Sequence, residues 1–332
     1  MGVNMLRVRT LVRLTLLAAA FFLTALPALS KDALPSWNEG PAKQAVLKFV
    51  EEATKKGGPS FVPPEDRIAV FDNDGTLWAE RPLPVQAYFA FAQVKELAPQ
   101  HPDWKTKKPF KFVLDGDAKA LEAMPEGEVA ALMAATHAGM TEEAFEQEVQ
   151  AFLSAWKHPV YKVGCGGLVY KPMVELLDHL RANGFKLFIC TGGGIEFVRQ
   201  VAPKIYGIPP EQVIGSSLKY QYQEGAGGGS IVRQPAMNLV TDGPGKPVGI
   251  QLHIGRRPLL SAGNSDGDLQ MLEFTSGRKG PTLEILVHHD DAQREFTYDK
   301  GAEKAFSEAA NSGWTVVDIK RDWKTIFAAD QK

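Results

Sequence analysis

Short apolar segments alternate with amphipathic helices along most of this 332-residue chain, and this alternation limits its possible folds more than any other feature. Beyond residue 165 the alternation is regular, and the first two helical patterns there are closed by Gly184 and Gly207. Strands that alternate with helices in this way form a parallel sheet covered by helices on both faces. The sequence therefore predicts an α/β protein with a doubly wound parallel sheet.

The predicted elements divide the folded chain into a core and an insertion. Strands are predicted at residues 68–71, 185–190, 213–217, 218–222, 258–262, 282–288 and 314–319, with a glycine-rich turn at 225–229. Helices are predicted at 37–56, 84–97, 127–137, 142–156, 171–183, 194–206, 246–254, 266–274 and 302–310. Strand signals are scarce from 81 to 164, so this segment is predicted as a mostly helical cap inserted into an α/β core of residues 31–80 and 165–332.

The first thirty residues have the composition of a secretory signal. Arg7, Arg9 and Arg13 precede an uncharged, mostly apolar run at 14–26, and the small residues Ala28 and Ser30 follow. This order of features predicts a signal peptide at residues 1–30. A single membrane anchor is the alternative, but the run is shorter than the ~20 residues that span a bilayer. We expect an exported, periplasmic protein.

Charge and cysteine content narrow the function only slightly. Without the signal segment the chain has 34 basic and 39 acidic side chains and lacks a basic run, which argues against a nucleic-acid partner. No later segment is long and apolar enough for a membrane span, so no membrane contact is expected after signal cleavage. Cys165 and Cys190 could form a disulfide or remain free thiols.

Two acids follow the first predicted strand at a spacing of two residues. Asp72 and Asp74 would repel each other, and folds keep such pairs together when something offsets the repulsion, commonly a divalent cation. Gly75 and Thr76 suit a tight turn that presents N–H groups and a hydroxyl to an anion. An ordinary polar loop is the alternative that this stretch alone leaves open.

Other predicted strand ends carry residues that suit the same ligand. Thr191 and Gly192 come between a strand and a helix, where a hydroxyl and a helix N-terminus form a phosphate site, although the glycines could also serve close packing. Lys246 begins a later helix, where a lysine opposes the macrodipole, although it could simply face solvent. Ligands bind beyond the carboxyl ends of parallel strands, so these residues are expected to lie together.

A polar loop follows the predicted strand at 258–262. It contains Asn264, Asp266 and Asp268, whose oxygen atoms suit a hard cation such as Mg²⁺. The two acids also stand where helix caps and first-turn acids occur, so a structural role is the alternative.

Together these residues resemble the haloacid dehalogenase superfamily. Its four motifs are a strand ending in Asp-x-Asp-Gly-Thr, a strand ending in Thr or Ser, a lysine, and an acidic loop after a strand. The chain matches them in family order with Asp72 to Thr76, Thr191, Lys246, and Gly263 with Asp268. The predicted paired strands between the second and third motifs are most similar to the phosphoserine-phosphatase-like branch.

The resemblance implies a mechanism and a cofactor. Asp72 would attack phosphorus and form an aspartyl-phosphate, and Asp74 would act as general acid and base. Thr191, Gly192 and Lys246 would bind the phosphate. Mg²⁺ would be held by a larger set of oxygen donors, namely Asp72, Asp74, Asn264 and Asp268.

Two positions refine this resemblance. The family's fourth motif usually begins with an acid, and here Asn264 lacks that charge, so the metal ligands within this loop stay open. An acid at the position of Asp74 distinguishes phosphatases and phosphotransferases from the dehalogenases and phosphonatases of the superfamily, which lack one.

Candidate substrate contacts come from the cap and from loops near the first motif. Trp78 and Glu80 follow the first motif closely, and His137 lies in the cap. His137 could equally be structural, and the loop that begins with His288 and His289 could contact substrate or metal or face solvent.

The resulting hypothesis is a Mg²⁺-dependent phosphatase that hydrolyses a small-molecule phosphate ester. A phosphotransferase of the same fold and an exported, non-catalytic phosphate-ester binding protein are the alternatives. The sequence leaves the substrate and the oligomeric state open.

Overall fold

The protein was analysed as a computed structural model that describes residues 32–122, 124 and 126–327. The expected signal segment, residues 1–30, lies outside these residues. The described chain from Ala33 onward belongs to one compact unit. Among the described residues, no helix has the length and apolar character needed to cross a bilayer.

Seven strands form one sheet, in the spatial order β4-β3-β2-β1-β5-β6-β7. All neighbouring strands are parallel except β3 and β4, which pair antiparallel as an edge hairpin. This confirms the predicted α/β fold with a doubly wound, mainly parallel sheet. The strands are β1 Ile68–Phe71, β2 Lys186–Gly194, β3 Val213–Gln223, β4 Ser230–Leu239, β5 Leu260–Gly263, β6 Leu283–His288 and β7 Thr315–Asp318.

Helices pack on both faces of the sheet and fill the segment between β1 and β2. In the first half of the chain they are α1 Pro41–Thr54, α2 Val85–Leu97, α3 Phe110–Asp115, α4 Ala118–Glu122, α5 Glu126–His137 and α6 Glu142–Ala155. In the second half they are α7 Lys171–Ala182, α8 Ile195–Tyr206, α9 Gly245–His253, α10 Leu269–Ser276, α11 Glu303–Ser312 and α12 Ile319–Asp322.

Alternate residues of the central strands enter two different cores. Ala69 and Phe71 of β1 join the larger cluster, which also includes buried residues of α1 and α7. Ile68 and Val70 face the other way, into a smaller cluster with Ile250 of α9 and Met271 of α10. A strand buried on both faces must be apolar throughout, which explains the uninterrupted apolar run before Asp72.

The structure differs from the predicted elements at several places. The helix expected from residue 37 begins at Pro41, because proline suits the first helical turn. The strands expected at 213–217 and 218–222 form one continuous strand, β3. Strand β4 was not predicted, since it is a half-exposed edge strand that contains Pro235 and lacks a sustained apolar run.

Candidate active site

The turn after β1 is held at the centre of the sheet. Strand β1 lies between β2 and β5, and the backbone N–H of Asp72 donates to the carbonyl of Ala262 in β5 at 2.9 Å. Gly75 has φ +74°, and a side chain there would overlap the Asn264 amide. Glycine is therefore required both for the backbone conformation and for the close approach of the fourth motif.

Lys246 joins the first and fourth motifs. Its ammonium donates to Asp72 Oδ1 at 2.7 Å, to Asp268 Oδ1 at 2.6 Å and to the Cys190 carbonyl at 3.0 Å. The side chain is buried, so these three oxygens satisfy all of its donors. Burial acts to lower the pKa of Lys246, but the carboxylates of Asp268 and Asp72 outweigh it and raise the pKa. The lysine is a fixed positive charge beside Asp72.

Asp72 and Asp74 stand in different surroundings. Burial and the nearby Asp268 carboxylate raise the pKa of Asp72 well above its ordinary value, and Lys246 opposes that rise. Asp74 is half-buried and accepts a hydrogen bond from Trp78 Nε1 at 2.8 Å. Burial raises the pKa of Asp74 to about 6, against the lowering effect of the Trp78 bond. The two acids therefore differ in their partners, because Asp72 is ion-paired with Lys246, whereas Asp74 is bonded to an indole N–H and can carry a proton near neutral pH.

The second motif occupies the last four residues of β2, an irregular, loop-like strand end where the register with β3 shifts between Thr191 and Gly194. Thr191 is buried, and its Oγ1 accepts from the Gly193 N–H at 3.0 Å. The Gly194 N–H donates to Gln86 Oε1 at 2.7 Å, so helix α2 of the insertion contacts this loop directly. Helix α8 follows at Ile195, so the loop lies at a helix N-terminus, which favours an anion.

The polar side chains of the fourth motif are bonded to other groups of the protein. Asp268 Oδ2 accepts from the N–H groups of Asn264 and Ser265, at 2.9 and 3.0 Å, while Oδ1 accepts from Lys246. Both of its oxygens are therefore engaged within the protein. The Asn264 amide accepts from Thr76 Oγ1 and donates to Glu80 Oε1, each at 3.0 Å.

The chemistry of the first motif suits a divalent cation. The carboxylates of Asp72 and Asp268 contact the ammonium of Lys246, and the half-buried Asp74 carboxylate adds a third acid to the same region, which leaves excess negative charge. Asp72 Oδ2 lies outside the lysine bond, and an amide oxygen such as that of Asn264 keeps a second lone pair. Hard oxygen donors of this kind fit Mg²⁺, whereas Asp268 is arranged to orient Lys246 and the loop.

A second group of potential metal ligands lies at the ends of β6 and β7. His288, Asp290 and Asp318 offer ligand atoms within 4.8 Å of one another. His288 Nδ1 lies 2.7 Å from Asp318 Oδ1, and Nε2 lies 2.9 Å from Asp299 Oδ1. Burial acts to lower the pKa of His288, but these hydrogen bonds to carboxylates raise it. Both ring nitrogens of His288 therefore face carboxylates, which favours the protonated form of the ring.

A cavity of about 390 Å³ opens between Asp74, the second-motif loop and the insertion. Asp74, Gly192, Gly193 and Glu80 line it. Asp72 does not line it, but 10% of its side chain stays accessible. Of the catalytic and phosphate-binding candidates, Asp74 and Gly192 thus line this cavity, whereas Asp72, Thr191 and Lys246 lie outside its wall.

The three substrate candidates have different positions. Glu80 lines the cavity, whereas Trp78 is buried beneath Asp74 and positions that carboxylate. His137 does not line the cavity, because its ring is fully buried and stacks on Phe89 at 5.2 Å between centroids. Burial lowers the pKa of His137 to about 3, so the ring is neutral.

A buried histidine after β6 contacts the first-motif turn, although the sequence left its role open. His289 Nε2 lies 2.8 Å from the Gly75 carbonyl and Nδ1 lies 3.1 Å from Glu295 Oε2. A carbonyl only accepts, so Nε2 donates to it. Tyr170 donates to the other oxygen of Glu295 at 2.9 Å.

The sequence also gave no signal for three other residues near the site, Gln86, Arg81 and Tyr298. No motif marks residues that come into contact only in the tertiary structure.

Comparisons with known proteins agree with this geometry. The sequence family of haloacid dehalogenase-like hydrolases matches residues 69–273, which contain all four motifs. No match was found among curated proteins. Among solved structures, a conserved functionally unknown protein from Anaerococcus prevotii is 15% identical, with 82% of this chain and 90% of that chain covered and a TM-score of 0.53.

Two further solved structures align with lower TM-scores. A phosphoserine phosphohydrolase-like protein from Francisella tularensis is 14% identical, with 77% of this chain and 95% of that chain covered and a TM-score of 0.41. Cytosolic 5'-nucleotidase IIIB bound to cytidine is 13% identical, with 88% and 90% covered and a TM-score of 0.43. The family match spans more than half of the sequence, and the chain belongs to the haloacid dehalogenase-like hydrolases.

Proposed function

We propose that this protein is a Mg²⁺-dependent phosphatase that hydrolyses a small phosphomonoester through a phosphorylated Asp72. The observation that carries the proposal is that two neighbouring acids have different surroundings. Asp72 is paired with Lys246, whereas Asp74 faces the cavity beside Gly192 and Gly193 with its pKa raised by burial to about 6. A paired carboxylate suits a nucleophile, and a protonatable one suits a general acid and base.

The proposed reaction has two displacements. An oxygen of Asp72 forms a bond to phosphorus while the bond from phosphorus to the alcohol breaks, and Asp74 gives its proton to the departing oxygen. Asp74 then takes a proton from water, which attacks phosphorus and releases phosphate and the Asp72 carboxylate. The Thr191 hydroxyl and the N–H group of Gly192 hold the phosphoryl oxygens.

Asp72, Asp74 and the amide oxygen of Asn264 are proposed to hold Mg²⁺. When bound, the ion would neutralise charge between an anionic nucleophile and an anionic ester. Asp268 supports this arrangement indirectly, because it fixes Lys246 beside Asp72.

Phosphate release from 4-nitrophenyl phosphate tests the proposal. The full chain should release phosphate with Mg²⁺ and lose the activity in EDTA, and Asp72→Asn should abolish turnover with an unchanged circular dichroism spectrum. Asp66→Asn is the matched control, because Asp66 precedes the same strand at its opposite end and is exposed. Ester binding without any turnover by the unaltered protein would overturn the proposal in favour of a binding protein. Transfer to an added alcohol would indicate a phosphotransferase.

We also propose that the protein is exported after cleavage near residue 30. The support is the order of arginines, apolar run and small residues in the sequence. N-terminal sequencing of the protein from a periplasmic fraction should find a chain that begins near Lys31, and an intact Met1 would contradict export by cleavage.

A further inference from the structure

The cavity beside Asp74 is polar at one end and apolar over most of its wall. The polar end is formed by Asp74, Gly192 and Gly193. The apolar wall comes from the insertion and includes Leu83, Ala90, Phe91, Leu132 and Met133. Its volume of about 390 Å³ lies near the lower end of the range for small-molecule sites. The space next to the phosphate site therefore fits a compact, mainly apolar group.

Charged groups on the described cavity wall are few and are partly engaged. Besides Asp74, Glu80 and Arg81 are the charged side chains there. Glu80 Oε1 already accepts from Tyr298 at 2.8 Å and from Asn264 at 3.0 Å. The Arg81 guanidinium lies over the Tyr298 ring at 4.2 Å from its centroid. A leaving group rich in hydroxyls or charges would lose hydration against the apolar wall and would find few partners there.

Two of the side chains that line the cavity each carry a buried donor nitrogen without an acceptor in the described part of the chain. These nitrogens are Arg81 Nε and Gln86 Nε2. The oxygen of the Gln86 amide accepts from the Gly194 N–H, which fixes the orientation of the amide and leaves its nitrogen without a partner. A buried donor without an acceptor is costly, so an oxygen atom on the ligand would relieve that cost.

We propose that the substrate is the phosphate ester of a compact, mainly apolar alcohol that carries one oxygen acceptor, such as an ether or carbonyl oxygen, near the ester bond. This inference rests on the proposed phosphatase activity. Arg81 and Gln86 determine specificity for the acceptor, and the apolar wall determines specificity for the rest of the alcohol.

A series of n-alkyl phosphates from methyl to butyl tests the apolar part. Their alcohols differ little in acidity, so differences in kcat/KM report the fit of the leaving group. We expect kcat/KM to rise about three- to fourfold per added methylene, and phosphoserine and glycerol 3-phosphate to lie at least about tenfold below butyl phosphate. A flat or falling series would overturn the inference.

Binding separates this inference from the proposed function. Calorimetric titration of Asp72→Asn with the same alkyl phosphates should show Kd falling about three- to fourfold per methylene, with no turnover required. If the unaltered protein hydrolyses no ester, including 4-nitrophenyl phosphate, the proposed function fails, and the order of affinities still decides the apolar preference. An affinity independent of chain length would overturn that preference even in an active phosphatase.

Phe91 provides a variant of the apolar wall with a matched control. Phe91→Ala should lower kcat/KM for butyl phosphate about five- to tenfold and change that for methyl phosphate less than about twofold. Phe112 is also a partly buried phenylalanine of the insertion but lies outside the cavity wall. Phe112→Ala should preserve the gain per methylene, and an equal loss in both variants would contradict the assigned wall.

The acceptor is tested with two esters of the same length. 2-Methoxyethyl phosphate replaces one methylene of butyl phosphate with an ether oxygen. We expect its kcat/KM to be at least about threefold higher than that of butyl phosphate, and Arg81→Met should remove this preference. Arg257→Met is the control, because Arg257 also stacks on an aromatic ring, that of Phe274 at 4.1 Å, but does not line the cavity. A preference that Arg81→Met leaves unchanged would overturn the assignment to Arg81.

Discussion

At the scale of single residues, the fourth motif is adapted to an amide in place of an acid. Asn264 donates to Glu80 Oε1 and accepts from Thr76, so the amide is bonded on both sides. A carboxylate at this position could accept from Thr76 but would face the Glu80 carboxylate without a donor. Glu80 and Asn264 therefore form a matched pair, and the missing acid of the motif is part of the local hydrogen bonding.

Substitution of this pair gives a direct test. Asn264→Asp should lower the free energy of unfolding in EDTA by about 1–3 kcal/mol, because two carboxylates would meet where a 3.0 Å hydrogen bond now forms. Urea unfolding measures the loss. Glu80→Gln combined with Asn264→Asp should recover most of the stability and bind Mg²⁺ about tenfold more tightly than the unaltered chain, since a ligand charge is gained. A double variant no more stable than Asn264→Asp would contradict the pairing.

At the scale of elements, hydrogen bonds between buried polar groups connect the strand ends and their loops. The loop after β6 contacts the turn after β1 through His289 and the Gly75 carbonyl, and Glu295 holds the other side of the ring. His289 is buried and is not among the described residues that line the cavity, so we regard it as a positioning residue for the turn that carries Asp72 and Asp74.

The conservative and disruptive variants of His289 should separate positioning from packing. His289→Leu removes the donor to Gly75 and should lower kcat about 10- to 100-fold with KM changed less than about threefold, because the acids lose their alignment. His289→Gln can place an amide N–H near the position of Nε2 and should recover at least half of that loss on a logarithmic scale. Steady-state kinetics measures both, and equal kcat values for the two variants would contradict the positioning role.

A second histidine should affect stability rather than catalysis. His137 ends α5, and burial lowers its pKa to about 3, below the ~6.5 of an unfolded chain. The ring is neutral in both states above about pH 6.5, so no stability depends on its titration there. As the pH falls below about 6.5 the unfolded chain gains a proton that the folded chain does not, and stability decreases.

Removal of the ring should therefore flatten the pH profile. Between about pH 7.5 and 5.0 the unaltered protein should lose about 2 kcal/mol more unfolding free energy than His137→Leu, with activity at the higher pH retained. Urea unfolding at the two pH values measures the difference. Identical losses would show that His137 is protonated in the folded protein.

At the scale of the whole molecule, the β3–β4 hairpin joins the helical insertion to the sheet. The N–H of Arg233 in β4 donates to the Met140 carbonyl at 2.9 Å, and the Gly139 N–H donates to the Arg233 carbonyl at 2.8 Å. The buried guanidinium pairs with Glu142 at 3.2 Å and lies 3.9 Å from the centroid of the Phe145 ring. Phe145 itself belongs to the main core, so the insertion and the sheet share buried residues.

Loss of this contact should destabilise the insertion and the sheet together. Arg233→Met should lower the free energy of unfolding by about 2–3 kcal/mol, because Glu142 loses its partner and the ring contact is lost. Tryptophan fluorescence and circular dichroism should still report one coincident transition in urea. Arg199→Met is the control, since the Arg199 side chain is more exposed than that of Arg233 and its pair with Glu196 should contribute less than about 1 kcal/mol. Separate transitions would contradict a shared core.

Local patterns predicted most of the elements because their signals lie in adjacent residues. Short stretches of sequence are enough to recognise the apolar run of β1, the glycines that end α7 and α8, and the helical spacing of α2 and α6. Strand β4 was not predicted, because an exposed edge strand gains its stability from its partner β3 rather than from its own apolar residues.

The amino-acid sequence by itself determined the parallel sheet and the ordered motifs that carry Asp72, Asp74, Thr191 and Lys246, because strand periodicity and motif spacing are local properties. The tertiary structure alone decided which groups surround them. Gln86 reaches the second motif and His289 reaches the first motif from elements distant in sequence, and Asp268 is assigned to Lys246 by contact. Substrate specificity depends on such contacts between separate elements, since a cavity wall and an unpartnered buried donor form only when those elements pack together.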